Sequence, residues 1–278
     1  MLDVSVVADP NEFAELAGPL LAAQPVDHTL ISSVLHDVLS DPHVHPDAQW
    51  VAVAAEGTVV GLAMWTPPWP PYLGPMPDDA AVAVADALAH ATAEPPGING
   101  EANAVRRAVE RYRQIRPSVT VEVTTRVRLH QLGELTPPDV PGSARVATQS
   151  DRDLIRTWTR GYAGDVHQPA EQVMQWLRVR LDQRSLMLWE VDGTPVSMAG
   201  HTPPAAGVSR VGPVYTPEAH RRHGYAAAVT AEVSRRARTQ GVVAVVLFTD
   251  LGNPTSNKIY SEIGYRPVRD YLEVSFGR

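Results

Sequence analysis

The stretch VGPVYTPEAHRRHGYAAAVTAEVSRRA, Val211 to Ala237, decides how this chain is read. It opens as an apolar strand ending at Tyr215 and passes through a proline-marked loop. At Arg221-Arg222-His223-Gly224-Tyr225-Ala226 it turns into an alanine-rich helix, predicted over 224–240. The first amides of a helix have no internal acceptors, and the helix dipole is positive there. A diphosphate suits such a site. Gly224 has no Cβ to hold an anion away from the backbone, and Ala226 keeps the first turn slim. Arg221, Arg222 and His223 place cationic or protonatable groups against the positive end of the dipole. That is unfavourable for a bare helix and favourable if an anion sits among them. The alternative is an ordinary helix with a basic entry. Neither G-x-x-x-x-G-K-[ST] nor a strand-linked G-x-G-x-x-G is present, so nucleotide triphosphatase and Rossmann readings are excluded.

Working outward, residues 242–248 are seven consecutive apolar side chains, as in a strand covered on both faces. A short helix is predicted over 254–263, and strand again from Tyr265. Upstream, a strand is expected at 144–148. Ser150 is expected to cap a helix reaching about Tyr162, with Asp153 completing a capping box. A second helix is expected over 169–182, with Val173, Trp176, Leu177 and 179–180 as a partial apolar stripe, then a hairpin of 185–191 with 194–202 and a strand at 208–215. The first half begins alike. It has a strand at 4–8, a capping box at Asp9-Pro10-Asn11-Glu12, and a helix at 29–39 before its own hairpin. Helices near 79–90 and 101–114 and a long strand at 119–132 follow.

The two hairpins match at a constant offset of 136 (193 − 57). Gly57 meets Gly193, Thr58 meets Thr194, Val60 meets Val196, Ala63 meets Ala199 and Thr66 meets Thr202, and Pro67-Pro68 meets Pro203-Pro204. Asp192-Gly193 is a strong hairpin signal because its turn requires positive φ, and Glu56-Gly57 a weaker one. The ungapped coincidence points to duplication. It divides the chain into residues 1–136, a linker at 137–143 around Pro137-Pro138-Asp139-Val140-Pro141, and residues 144–278. Each half is long enough to bury a core.

Composition narrows the function. The 278 residues carry 24 basic and 31 acidic side chains, net −7, with no basic run, which argues against nucleic acid. There is no cysteine, hence no disulfide scaffold, thiol nucleophile or thiolate-held zinc. The start MLDVSVVADP lacks a basic stretch, and no apolar run approaches the ~18 residues of a membrane span. A cytoplasmic protein with no membrane partner is expected.

R-x-x-G-x-A after a strand resembles the acyl-CoA-binding signature of the GNAT N-acetyltransferases, Q/R-x-x-G-x-G/A. NPTSNKIYSEIGY, Asn253 to Tyr265, resembles the family's second pattern, N-x-x-A-x-x-L-Y-x-x-x-G-F, with Ser256, Ile259 and Tyr265 as the departures. The resemblance is close from Ala144 onward. In the first half it extends only to the hairpin and element order. It implies an α/β fold of two tandem GNAT-like domains, each a mixed, mostly antiparallel sheet flanked by helices, with a degenerate N-terminal copy. It implies an N-acetyltransferase that uses acetyl-CoA as cosubstrate, with no metal, and acts on a small-molecule amine in a ternary complex. A protein or peptide acceptor and a non-catalytic acyl-CoA-binding module are the alternatives, and a monomer or homodimer is expected. By the same resemblance, Val214 and Tyr215 pair with the pantetheine arm. Arg221, Arg222, His223, Gly224, Tyr225 and Ala226 surround the diphosphate, Asn253 and Asn257 contact the coenzyme, and Tyr260 stands beside the thioester sulfur as acid or hydrogen-bond donor. Turn and packing roles remain the plain alternatives for Asn253 and Tyr260.

Some relatives place a glutamate five residues before the asparagine, where this chain has Phe248. Asp250, just past the strand, is the first alternative base, followed by His201, Glu171 and His167. In the first half, Gly97-Ile98-Asn99-Gly100-Glu101-Ala102 is the nearest echo of the phosphate loop, with glycine where Arg or Gln belongs. The aromatic loop from Trp65 to Met76 either walls a cleft or covers the core. The His43/His45 loop reads as polar loop rather than metal site. Arg106, Arg107, Arg111 and Arg113 read as a solvated helix face.

Overall fold

The computed structural model describes residues 2–166 and 170–277, excluding the side chains of Gln172 and Trp176. In chain order the elements of the first part are β1 (Leu2–Val7), α1 (Pro10–Ala23), α2 (Thr29–Ser40), β2 (Gln49–Ala55), β3 (Thr58–Trp65), β4 (Tyr72–Leu73), α3 (Asp78–Ala89), β5 (Gly97–Glu101), α4 (Ala102–Ile115) and β6 (Thr120–Leu132). There follow β7 (Ser143–Val146), a 3₁₀ turn at Gln149–Asp151, α5 (Arg152–Asp165), α6 (Ala170–Asp182), β8 (Leu186–Val191), β9 (Thr194–His201) and β10 (Val208–Tyr215). The chain closes with a 3₁₀ turn at Glu218–His220, α7 (Tyr225–Arg238), β11 (Ala244–Asp250), α8 (Pro254–Glu262) and β12 (Tyr265–Gly277). Two compact units result. Unit 1 is Met1–Leu129, Asp250–Gly252 and Val268–Arg278; unit 2 is His130–Thr249 and Asn253–Pro267.

In unit 1 the strand order is β1-β2-β3-β4-β5-β12. The pairings are antiparallel except β4 with β5, which run parallel. Helices α3 and α4 pack Val84, Leu88, Val105 and Tyr112 against Val53, Leu73, Ile98 and Val274. Phe13 of α1 stacks on the fully buried Trp50 of β2, ring centroids 4.9 Å apart. In unit 2 the order is β11-β10-β9-β8-β7, again antiparallel except for one parallel pair, β10 with β11. One core holds Val229 and Val233 of α7 with Ala199, Val211 and Val245. A second holds Trp158 of α5 and Val173 and Leu177 of α6 with Leu186, Leu188 and Met198. Alternate residues of β9 thus serve opposite cores, as the two-residue period of a strand requires. Of the apolar stripe expected on α6, Val173 and Leu177 are buried while Val179 is exposed.

The two hairpins share their turn geometry. Glu56 and Gly57 have φ of 50° and 78°, and Asp192 and Gly193 have 49° and 76°. The glutamate therefore adopts the same left-handed turn as the aspartate. Each hairpin also carries a register shift at matching places, Val53/Ala54 and Trp189/Glu190, 136 residues apart (189 − 53).

Two expectations need correction. Residues 97–101 are strand β5, paired with β4 and β12, and not a loop. The helix preceded by a strand-to-loop crossing in unit 1 is α3, which lies between the parallel strands β4 and β5 as α7 lies between β10 and β11. The echo was thus matched to the wrong helix: two residues of strand among prolines left β4 unreadable. The capping box is also displaced. Thr148 and Asp151 make it, and Ser150 and Asp153 do not.

Candidate functional site

Residues 208–249 and 253–265 of unit 2 assemble the candidate site. The parallel ladder of β10 with β11 pairs Val208–Arg210 with Ala244–Val246 and goes no further, although both strands run on. A register shift between Val211 and Val214 carries β10 away, while its other edge stays paired to β9 through Val214↔Ala199 and Tyr215↔Met198. One backbone edge of β10 at Val214 and Tyr215 is left available for an extended ligand to bond as a strand would.

The loop after β10 is fixed from behind. Ser197 Oγ donates to the Tyr215 carbonyl at 3.1 Å and lies 2.8 Å from Thr216 Oγ1. Arg221 donates from Nε to the Thr216 carbonyl at 3.0 Å and from Nη2 to Asp165 at 2.7 Å. Arg221 thus holds the loop onto α5 instead of standing as a free cation. Arg222 and Gly224 both take left-handed φ, 66° and 80°. No side chain caps α7 at Gly224, and among the described residues the amides of 222–227 have no acceptor. A run of unpaired N–H groups at a helix start is suited to cradling an anion. Residues 221–224 are exposed, so the cradle is open to solvent. A Cβ on Gly224 would stand 2.8 Å from Val140 Cγ1. Val140 belongs to the segment joined to unit 2 by Trp189, whose Nε1 donates to the Pro141 carbonyl at 2.9 Å. His223 stacks on Tyr225 at 5.4 Å.

Tyr260 of α8 is half-buried and packs edge-on to the fully buried Tyr265 at 6.1 Å. Tyr265 spends its hydroxyl on Ser234 Oγ at 2.7 Å. The Tyr260 hydroxyl has no partner among the described residues. Burial pushes its pKa up from the ordinary 10, with the neighbouring Tyr162 and Tyr265 adding to the rise. Burial also pushes Tyr162 up to about 12. Tyr162 and Trp158 of α5 lie against the Tyr215 ring at 6.4 and 6.2 Å. Gly161 makes room for that ring, since a Cβ there would fall 2.0 Å from the Tyr215 hydroxyl. Gly161, Tyr162 and Asp165 escaped the sequence reading. The available signal was a glycine inside a helix, which costs about 1 kcal/mol and calls for a packing reason.

Asn253 caps α8. Its Oδ1 accepts the Ser256 amide at 3.0 Å, and its carbonyl accepts Asn257 Nδ2 at 2.7 Å. The Asn253 Nδ2 group remains as a donor. Asp250 ends β11, and its Oδ1 accepts the Gly252 amide at 2.7 Å. His201 is wholly buried. Its Nδ1 lies 3.0 Å from the Thr202 carbonyl, and desolvation, chiefly, holds its pKa below the usual imidazole value. A residue so enclosed cannot collect a proton from a bound amine. Glu171 is exposed in the first turn of α6. His167 lies outside the described residues. Among the described residues, no three His, Cys, Asp or Glu side chains group as metal ligands.

The family model for the acetyltransferase (GNAT) family matches residues 152–265, the span that holds the open ladder, the cradle and Tyr260. This part of the chain is a GNAT-family domain. The assignment implies an acyl-CoA-dependent acyltransferase. Solved structures extend the likeness in fold to nearly the whole chain. A Drosophila protein matches with a TM-score of 0.72 at 13% identity, covering 99% of this chain and 98% of its own. An N-acetyltransferase of this family from Sphaerobacter thermophilus gives 0.62 at 16% identity, covering 99% and 95%. A GNAT-family acetyltransferase from Colwellia psychrerythraea gives 0.60 at 13%, covering 99% and 98%. Comparison with curated proteins gave no match.

Unit 1 contrasts with the GNAT domain at the corresponding places. Helix α3 begins with Asp78 and Asp79 behind a Pro77 cap. Two carboxylates there favour the dipole and repel phosphate. The start of α4 is closed by Glu101, whose Oε2 accepts the Asn103 and Ala104 amides at 3.0 and 2.8 Å.

Proposed function

We propose that the chain is an N-acetyltransferase that moves the acetyl group of acetyl-CoA to a primary amine of a small molecule by direct attack in a ternary complex. The observation that carries the reading is the unfilled amide run of residues 222–227, beside the free edge of β10 and in the same domain as the unbonded Tyr260 hydroxyl. These residues fit the coenzyme: unpaired amides suit a diphosphate, and an open strand edge suits the amides of the pantetheine arm. When bound, acetyl-CoA supplies a thioester whose carbonyl carbon is open to an amine and whose sulfur leaves as a thiolate.

The chain's own groups then have defined tasks. Val214 and Tyr215 offer backbone donors and acceptors to the pantetheine, and Asn253, whose carbonyl is held by Asn257, offers its side-chain Nδ2. Tyr260 turns its hydroxyl to the sulfur. A thiol titrates near 8.5, below even an unperturbed phenol near 10, and burial raises Tyr260 further. Tyr260 therefore keeps its proton and stabilises the developing thiolate as a hydrogen-bond donor. Asp250 takes the amine proton, directly or through water, from the exposed end of β11.

The test measures thiol release from acetyl-CoA across a panel of small amines and peptides. Tyr260→Phe is expected to lower kcat by about 10²-fold, the scale of one lost transition-state donor, with coenzyme A affinity unchanged. Asp250→Asn is expected to lower kcat most at low pH, where fewer amines are neutral. Turnover with peptides alone would move the acceptor to the protein class. Coenzyme A binding with no turnover of any amine would leave a binding module.

A further inference from the structure

Helix α4 of unit 1 bears four arginines in two sets with different fates. Arg107 and Arg111 point to α3 and are paired, Arg107 Nε to Asp78 at 2.7 Å and Arg111 Nε to Asp86 at 2.6 Å. Arg106 and Arg113, seven residues apart and so on one helical face, border a groove of about 560 Å³, with Arg126 of β6 also on its border. Among the described residues none of these three has a side-chain hydrogen bond or ion pair. The one carboxylate on the groove, Glu110, lies 3.4 Å from Arg107. Three guanidiniums thus face one carboxylate, already engaged, in a chain of net charge −7. As the sequence expectation of a solvated arginine face requires, Arg106, Arg107 and Arg113 are exposed, with Arg111 half-buried.

Between these cations the groove is apolar. Val109, Val121, Val123, Leu272 and Val274 line it, and Val123 remains 44% exposed. An apolar lining left in water is unfavourable, and the three exposed guanidiniums around it have donors to spare for an anion. One ligand type suits both: a hydrocarbon body on the valines with an anionic head among the arginines, which bind carboxylates through paired N–H donors. The volume lies within the range of about 300–1,000 Å³ typical of small-molecule sites. We infer that this groove binds a small amphiphilic carboxylate of the fatty-acid class. The site lies wholly in unit 1, and its occupancy is independent of the acetyltransferase reading.

Octanoate is the probe, titrated calorimetrically into the full chain, with octanol and octyltrimethylammonium as matched neutral and cationic probes. Octanoate is expected to bind at least tenfold more tightly than either. The double variant R106A/R113A is expected to weaken octanoate at least tenfold and to leave octanol unchanged. Val123→Glu, which places a carboxylate in the groove, is expected to abolish octanoate binding. Melting temperature and coenzyme A affinity are measured on both variants and are expected to stay at the wild-type values. Equal binding of all three probes, octanoate binding unaffected by either variant, or no octanoate binding would overturn the inference. So would a dimer that Val123→Glu converts to monomer without any octanoate site, since the groove would then be a contact between copies.

Discussion

His28 is fully buried in unit 1, and neither ring nitrogen has a hydrogen-bond partner. Gly74 leaves it room, because a Cβ there would lie 2.8 Å from His28 Nδ1. Desolvation lowers its pKa to about 4, against an upward pull from Asp27 and a smaller downward push from Arg269. The unfolded chain therefore binds a proton near pH 6.5 that the folded chain refuses until about pH 4. Stability is intact above 6.5 and falls as pH drops through that window, by about 3 kcal/mol in full. His28→Gln is expected to flatten this slope when urea midpoints are compared at pH 7 and 4.5; a slope as steep as wild type would contradict the assignment. His201 and His45 are held low by burial too, so the test is the difference between proteins. At Gly224 the left-handed φ and the neighbouring Val140 leave little tolerance for a side chain. Gly224→Glu is expected to abolish coenzyme A binding by bulk and charge while the melting temperature falls only a few degrees. Undiminished affinity would remove the diphosphate from this loop. That Gly224 opens α7 was readable because a helix start is set within one turn of chain. The burial of His28 was not, since nothing nearby in sequence shows what covers it.

At the scale of elements, one helix start offered two equivalent answers, and a residue just outside the motif chose between them. Thr148…Asp151 and Ser150…Asp153 have the same capping-box spacing. Arg145 decides: its Nη atoms donate to both Asp151 oxygens at 2.7 Å and its Nε donates to Glu190 at 2.7 Å. Asp151 also accepts the Thr148 amide. Its pKa is lowered to about 2, first by the Arg145 hydrogen bonds. The stabilisation is present above about pH 4 and is lost as pH falls toward 2. Asp151→Ala removes the cap and leaves Arg145 half-compensated, so a loss of roughly 2–4 kcal/mol is expected in urea unfolding at pH 7, shrinking toward zero near pH 2. The hairpins posed no such choice. Acid-glycine between apolar runs led to the same left-handed pair twice, because turn geometry depends on those residues alone. Strand β4 had no local signature, being two residues whose strand character comes from pairing with β3 and β5.

For the whole molecule, the last strand matters most. Tyr265–Pro267 belong to unit 2, yet Val268–Arg278 return to unit 1. There β12 pairs with β5 from Tyr271↔Glu101 to Ser275↔Gly97, Arg269 bonds Asp27, and Val274 and Leu272 complete the core. A chain ended after Pro267 is expected to lose cooperative folding of unit 1. Hydrogen exchange should show residues 50–112 unprotected while 186–249 keep their protection, and unchanged protection in both would refute the dependence. The two turns and the entry to α7 could be read from residues alone, because each depends on interactions within a few positions of chain. The strand nature of residues 97–101 and the destination of β12 could not. Each depends on a partner dozens to more than a hundred residues away, and sequence distance says nothing about which partner packing will bring near.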